Sequence, residues 1–205
     1  MGAYRFWKEL MDRLCSLLAL LLLAPLFLII ALWIKLDSHG RVIYSQQRIG
    51  RNGVPFALFK FRTMRPASDR EGLLTVSNRD SRITRAGYVL RKYKIDELPQ
   101  LLNVLKGEMS IVGPRPEVEK YVRLYTAEQL KVLAVKPGLT DLASLEYFEE
   151  SKLLAQSADP EQTYIQEIMP AKLELNRRYI DGQSLWTDVG IIFRTLIRIV
   201  EKLKS

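Results

Sequence analysis

The stretch CSLLALLLLAPLFLIIALWI, residues 15–34, decides the fold class because it carries no charge over 20 consecutive positions. As a helix it would extend about 30 Å, which is the thickness of the hydrocarbon core of a bilayer. A cleaved signal peptide fits less well, since the run is longer than a signal peptide's apolar region and lacks a small-x-small cleavage site before Lys35. The stretch therefore predicts a membrane segment.

Pro25 lies at the middle of this run and predicts a kink, because proline lacks a backbone donor and its ring clashes with the preceding turn. Basic residues flank both ends of the run, and the positive-inside rule then favours the cytoplasm at both ends (Arg5, Lys8, Arg13, Lys35, Arg41). Two topologies fit this pattern: a re-entrant hairpin, and a kinked helix that spans the bilayer.

A β-hairpin is predicted directly after the membrane run, from the strand-like segments VIYSQQRIG (42–50) and FALFKFRTM (56–64). In the second strand, the period of two places Lys60 and Arg62 on one face, so we expect that face to be cationic and the other to pack. Residues 41–70 contain seven basic residues and one acidic residue, which indicates an anionic ligand nearby.

The overall charge narrows the choice of partner, and the cysteine count and length bear on the domain organisation. The net charge of +8 favours phosphates, nucleic acid or an acidic membrane surface. Because the chain carries no nucleic-acid-binding motif, we expect no nucleic-acid partner. The single cysteine, Cys15, excludes an internal disulfide, and 205 residues suit one domain with a modest appendage.

The rest of the chain is predicted to be mostly helical, over four segments (83–92, 97–105, most of 117–134, and the amphipathic tail 185–205). The stretch 66–82 is polar and predicts a loop. Residues 141–181 hold nine acidic and four basic residues, which is typical of a solvated or partner-facing insert.

The adjacent carboxylates Asp96 and Glu97, in KYKIDELPQLL, are the first candidates for chemistry. Asp96 is well placed as a helix N-cap with Pro99 in the first turn, which is a common structural role. Three cations just upstream favour anions at the same place (Arg91, Lys92, Lys94). A carboxylate there could bind a divalent metal or attack a phosphoryl group, and the residues alone leave both roles open.

A second candidate is the turn Gly113-Pro114-Arg115-Pro116. Two prolines restrict the backbone on either side of Arg115, so its guanidinium is presented for bidentate phosphate binding at low entropic cost. A rigid surface turn explains the same residues equally well.

Taken together, Ala24-Pro25, FKFRTM (59–64), LRKYKIDELPQLLNVLKGEMSIVGPRP (90–116) and KPGLT (136–140) closely resemble the bacterial sugar transferases known as monotopic phosphoglycosyl transferases. The resemblance implies an α/β (α+β) fold. A small cytosolic catalytic domain, residues 37–205, with a β-hairpin, several helices and an amphipathic C-terminal helix, would follow a re-entrant membrane anchor, residues 1–36, kinked at Pro25. Many members carry serine where this chain has Ala24, so the bend would depend more on Pro25 here.

The resemblance also implies a Mg²⁺-dependent reaction in which a sugar 1-phosphate passes from a UDP-sugar to undecaprenyl phosphate, with release of UMP. The enzyme would lie in the inner membrane with its catalytic domain on the cytoplasmic face, in contact with membrane lipid, and would initiate assembly of a bacterial glycan such as an exopolysaccharide, capsule, O-antigen or glycoprotein. Whether the protein forms a homodimer is left undecided.

The same resemblance assigns roles to individual residues. Asp96 would be the nucleophile and a Mg²⁺ ligand, and Glu97 would be its helper and a second ligand. Four cations would bind substrate phosphates (Lys60, Arg62, Arg91, Arg115).

Two features limit what the resemblance carries over. After KPGLT the chain reads DLASLEYFEE instead of the family's common continuation, so no particular sugar is transferred to this chain. The alternative function is a non-catalytic, membrane-anchored scaffold for glycan-assembly enzymes. Such a scaffold would be expected to have a broken Asp-Glu pair or to lack Arg115, and this chain retains all three residues.

Overall fold

The structure, a computed structural model, describes residues 2–66 and 80–204, so most of the loop predicted over 66–82 lies outside the described residues. The described chain is mixed α/β, with small sheets among helices. Its strands are β1 (Ile43–Ile49), β2 (Pro55–Phe61), β3 (Ser110–Val112) and β4 (Gly138–Thr140). Its helices are α1 (Gly2–Asp37), α2 (Arg85–Lys92), α3 (Leu101–Lys106), α4 (Glu119–Val122), α5 (Leu142–Glu146), α6 (Glu150–Ala155), α7 (Pro160–Thr163), α8 (Met169–Asp181) and α9 (Leu185–Lys204).

The predicted hairpin is confirmed, since β1 and β2 pair antiparallel from Ile43 opposite Phe61 to Ile49 opposite Pro55. The expectation that only one face of the hairpin packs was wrong. Phe61 is buried against α1 and α2, whereas Leu58, on the face that also carries Lys60, is buried against α3. Both faces pack because helices cover the hairpin on two sides.

The pairing of β3 with β4 was not predicted from the sequence. The two strands are parallel, with Ser110 opposite Gly138 and Val112 opposite Thr140. Each strand has three residues, too short for a periodic pattern to reveal it. The pairing joins the turn after β3 to the KPGLT segment.

The acidic stretch 141–181 is part of the core, so its interpretation as a solvated insert was wrong. Its apolar residues, among them Leu154, Tyr164 and Leu173, are buried against Val118 and other residues of the preceding segment. Except for the buried Asp141, the charged residues lie at exposed or half-exposed positions, and charge counting alone cannot separate such a stretch from a solvated segment.

The N-terminal half of α1 is fastened to the domain by polar contacts. Lys8 Nζ donates to Asp188 of α9 over 2.6 Å, and the hydroxyl of Ser110 donates to Asp12 over 2.6 Å. One helical turn further along, the hydroxyl of Ser16 donates to the carbonyl of Leu101 over 2.5 Å. The first turns of α1 are therefore built into the folded domain.

The C-terminal half of α1 is fastened to the same domain. Ile30 and Ile34 are buried against the hairpin and α2, and the Asp37 carboxylate accepts a hydrogen bond from the Ala86 backbone over 3.0 Å. The helix is assigned without interruption from Gly2 to Asp37, with Pro25 inside it. The re-entrant membrane hairpin and the kink at Pro25 stay predictions.

Within the described part of the chain, one helical stretch, Tyr4–Asp37, is long and apolar enough to cross a membrane. Only 11% of its most apolar part is buried, whereas the core helix of a soluble protein would be mostly buried. Exposed leucines such as Leu21, Leu22 and Leu28 cover its outer side. These features indicate membrane association.

Candidate active site

Asp96 and Glu97 lie in a 3-10 turn, Ile95–Gln100, that leads directly into α3. Lys94 precedes the turn with a φ of 57°, in the left-handed region, so the chain bends sharply between α2 and the two carboxylates. The prediction of Asp96 as an N-cap was wrong, because Lys94 occupies that position. Both carboxylate side chains are buried.

Glu97 is held between two cations. Lys60 Nζ donates to its Oε1 over 2.8 Å, while Arg115 donates from Nη2 to Oε1 over 2.5 Å and from Nη1 to Oε2 over 3.3 Å. Burial by itself would raise the pKa of Glu97, but the charges of Arg115 and Lys60 outweigh it and hold the pKa well below its usual value. Glu97 is therefore ionised and fixes both cations.

Asp96 lies in a different environment although it is the next residue. Its Oδ1 atom is buried and accepts no hydrogen bond from any residue that the structure describes. Burial raises the pKa of Asp96, and the negative charge of Glu97 raises it further, while Lys60 and Lys94 act in the opposite direction. The pair thus combines one fully partnered carboxylate with one that has a buried, unpartnered oxygen.

Arg115 reaches the pair because the β3–β4 pairing supports the turn that carries it. Gly113 and Gly138 are in backbone contact, and a Cβ atom on Gly138 would lie 2.1 Å from the Gly113 nitrogen. The Gly138 N–H also donates to the Pro114 carbonyl over 2.9 Å. Such a close approach needs glycine, so the KPGLT and GPRP segments form one unit.

The two carboxylates line a cavity of about 630 Å³, a size typical of small-molecule sites. Lys60, Arg91 and Arg115 line the same cavity. Further cations line it as well (Arg48, Lys92, Lys94, Lys152, Lys172, Lys202). The structure therefore brings together five of the predicted site residues in a cavity suited to anions.

The structure places Arg62 elsewhere. Its side chain is buried, and its Nη2 donates to the carbonyls of Ile34 over 3.3 Å and Ser38 over 2.6 Å, at the end of α1. Arg62 lies one residue beyond the end of β2, so the alternation that points Lys60 into the cavity no longer applies to it. Ala24 and Pro25 lie on the exposed side of α1.

A network on the far side of Arg115 was not predicted from the sequence. Arg48 donates to Glu117 Oε1 over 2.8 Å, and the hydroxyl of Tyr164 donates to Glu117 Oε2. Tyr164 opens a π-helical turn, Tyr164–Ile168, and all three residues of the network line the cavity. Glu117 directly follows the GPRP turn, which is the only sequence signal that could have indicated it.

Asp96 fits a magnesium ion held together with a substrate, whereas both oxygens of Glu97 already accept hydrogen bonds from cations. Mg²⁺ is usually bound by one or two carboxylates, waters and substrate phosphates. Asp96 offers an oxygen without a hydrogen-bond partner among the described residues. Over 2–66 and 80–204, no group of three or more His, Cys, Asp or Glu side chains is placed to hold a metal. An ion here would therefore depend on phosphate oxygens of the substrate.

A family model described as bacterial sugar transferase matches residues 3–202, almost the whole chain. The chain belongs to the bacterial sugar transferase family. This membership confirms the resemblance carried by the segments 59–64, 90–116 and 136–140.

Characterised members of the bacterial sugar transferase family support the same placement. The UDP-N-acetylgalactosamine-undecaprenyl-phosphate N-acetylgalactosaminephosphotransferase of Aeromonas hydrophila is 38% identical over 96% of this chain and 44% of its own length. The UDP-glucose:undecaprenyl-phosphate glucose-1-phosphate transferase of Caulobacter vibrioides is 38% identical over 92% of this chain and 68% of its own. The exopolysaccharide production protein ExoY of Rhizobium meliloti is 36% identical, over 92% and 83%. The chain thus spans less than half of the Aeromonas protein.

Proposed function

We propose that this bacterial sugar transferase moves a sugar 1-phosphate from a UDP-sugar to undecaprenyl phosphate, with Asp96 as the nucleophile. The observation that carries the proposal is the unequal state of the neighbouring carboxylates. Glu97 is paired on both oxygens, whereas Asp96, which lines the same cation-rich cavity, has a buried oxygen without a hydrogen-bond partner among the described residues. The names of the Aeromonas and Caulobacter relatives give a UDP-sugar and undecaprenyl phosphate as substrates, which supports both substrate classes.

In the first half-reaction, a carboxylate oxygen of Asp96 attacks the β-phosphorus of the UDP-sugar. A bond forms between that oxygen and phosphorus, and the bond from the β-phosphorus to the bridging oxygen breaks, so UMP leaves with the bridging oxygen. Lys60, Arg91 and Arg115 neutralise the diphosphate, and Glu97 keeps two of these cations in position.

In the second half-reaction, a phosphate oxygen of undecaprenyl phosphate attacks the phosphorus carried by Asp96. The bond between phosphorus and the Asp96 oxygen breaks, which restores the carboxylate and gives undecaprenyl diphosphate-linked sugar. UMP departs before the lipid phosphate reacts, so one cavity serves the two substrates in turn. The product would be the first lipid-linked intermediate of a bacterial glycan.

Magnesium is part of this proposal. Asp96 would hold the ion, with Glu97 beside it, and the ion would supply charge neutralisation for the departing phosphate. We expect a chelator to stop UMP release and added Mg²⁺ to restore it. Turnover that persists in excess chelator would remove the metal from the mechanism.

A re-entrant topology is also proposed, with both ends of α1 and the domain on the cytoplasmic face of the inner membrane. Contacts at Lys8 and Asp37 join the two ends of α1 to the same domain. A helix that spans the bilayer would hold its ends on opposite sides, so these contacts favour the re-entrant topology. The basic residues at both flanks agree with it.

The topology can be tested through Pro25→Leu. Leucine restores a backbone donor and removes the ring clash, so the helix should straighten and carry a tag at residue 1 to the opposite side of the membrane. Labelling of that tag in intact cells measures the outcome, with Leu26→Ile as the matched apolar control. Unchanged cytoplasmic labelling would count against Pro25 as the determinant.

The reaction is tested by UMP release from a panel of UDP-sugars, with purified protein, Mg²⁺ and undecaprenyl phosphate, each omitted in turn. We expect one sugar to give UMP release that depends on the metal and on the lipid for multiple turnovers. No release with any UDP-sugar would instead favour the non-catalytic scaffold.

A further inference from the structure

The cavity has a second wall, formed by α9, that differs chemically from the wall of the two carboxylates. Where α9 lines the cavity, its side chains are mainly apolar (Ile192, Thr195, Leu196, Ile199), and Lys202 follows at the C-terminal end of this row. Their spacing of three and four residues places them along one side of the helix. The wall therefore combines an apolar track with a cation at one end.

The neighbouring side of α9 is also apolar, but it is exposed. Trp186 is 85% exposed and Phe193 63%, and three further residues continue the same stripe (Val189, Ile197, Val200). Leu196 is 56% exposed and also lines the cavity, so it joins the outer stripe to the track inside. An apolar chain could thus pass from the outside of the molecule into the cavity along α9.

Two lysines lie close to one aromatic ring at the Lys202 end of this track. The ammonium groups of Lys94 and Lys202 lie 5.5 Å and 4.9 Å from the centre of the Phe148 ring. Burial lowers the pKa of Lys202 and the positive charge of Lys94 lowers it further, while the negative charge of Glu149 acts in the opposite direction. An anion close to both lysines would relieve this repulsion, and Lys94 lies two residues before Asp96.

We propose that the α9 wall is the acceptor site, where the phosphate of a polyprenyl phosphate lies at Lys94 and Lys202 and its first isoprene units follow Ile192, Leu196 and Ile199. This inference rests on the proposed function. Charge complementarity and the apolar track together select a ligand with an anionic head and one apolar chain. A UDP-sugar has the anionic part but lacks the apolar chain.

The test separates the two substrates by their KM values in detergent micelles. Lys202→Met removes the charge and keeps most of the stem, with Arg194→Met as the matched control because Arg194 is exposed on α9 and does not line the cavity. Ile199→Asn places a polar group on the track, with Leu124→Asn as its control at an exposed apolar position outside α9 that does not line the cavity. Exchange of labelled UMP into the UDP-sugar measures the first half-reaction without lipid.

We expect Lys202→Met and Ile199→Asn each to raise the KM for undecaprenyl phosphate about tenfold, as loss of a charge-assisted or apolar contact would. UMP exchange and the KM for the UDP-sugar should stay within about twofold, as should both controls. An unchanged lipid KM, or an equal rise in the KM for the UDP-sugar, overturns the acceptor site. A wild-type protein without exchange or transfer overturns the proposed function instead.

Discussion

Two buried aspartates, Asp188 and Asp96, are each 6% exposed, yet their surroundings differ completely. Asp188 accepts hydrogen bonds from Tyr4 and Lys8 on one oxygen and from Tyr179 on the other. Asp96 keeps Oδ1 without a donor among the described residues. A carboxylate with a complete set of donors fastens elements together, whereas a cavity-lining carboxylate with an unpartnered oxygen is a candidate for chemistry.

The difference also has an energetic side. A buried polar atom without a hydrogen bond destabilises the fold, and one that belongs to a cavity-lining carboxylate is a candidate for function. The partnered Asp188 should therefore contribute to stability and little to catalysis. Asp96 should contribute to catalysis and little to stability. The following predictions test that contrast, from the largest expected effect to the smallest.

Asp96→Asn should abolish turnover, with a loss of at least about a thousandfold, because the amide cannot act as the nucleophile. The midpoint of thermal unfolding should not fall, since burial already disfavours the charged form of Asp96. UMP release and the unfolding midpoint in the same detergent measure the two effects, and membrane association should stay intact. Retained turnover in a clean preparation would exclude Asp96 as the nucleophile.

Lys60→Met and Arg62→Met should show that two cations only two residues apart in the chain have different roles. Loss of Lys60 removes a charge from the cavity and should lower kcat/KM about a hundredfold. Loss of Arg62 removes donors to Ile34 and Ser38, so it should lower the unfolding midpoint with kcat/KM per folded molecule within about threefold. A hundredfold loss of kcat/KM in Arg62→Met would instead show that Arg62 binds substrate phosphate.

Asp188→Asn should destabilise the protein by about 3 kcal/mol, because it leaves the half-buried Lys8 ammonium without its charged partner. For a domain of this size, the unfolding midpoint should fall by about 9 °C. Asp181→Asn, at an exposed position on α8, is the matched control and should change the midpoint very little. If both variants unfold at the wild-type temperature, Asp188 does not have the fastening role.

The pH dependence of the first half-reaction should report on Asp96. Asp96 acts as a carboxylate, and its pKa is raised above the ordinary 3.8, so the rate of UMP release should fall as the pH drops through that raised value. Glu97→Gln removes a negative neighbour and should move this acid limb to lower pH, on a lower plateau. Glu174→Gln, at a half-exposed position on α8 that does not line the cavity, serves as control, and an acid limb that shifts upward in Glu97→Gln would contradict the coupling.

Much of the local structure could be predicted because it depends on residues close together in the chain. The apolar run 15–34 predicted the long helix, and the alternating segments around residue 51 predicted the hairpin. Helical periodicity predicted α2 and α9 within a few residues. The order of residues 90–116 indicated the family, which the family model confirms.

The sequence by itself therefore determined the apolar helix, the hairpin, the family and the candidate residues, since periodicity, turn chemistry and motifs act over short distances. Only the tertiary structure decided which carboxylate is partnered, that Lys60 faces the cavity while Arg62 binds the end of α1, and that the acidic stretch 141–181 supplies core residues. These properties depend on contacts between segments far apart in the chain. No local pattern records such contacts, because each is set by how the elements pack.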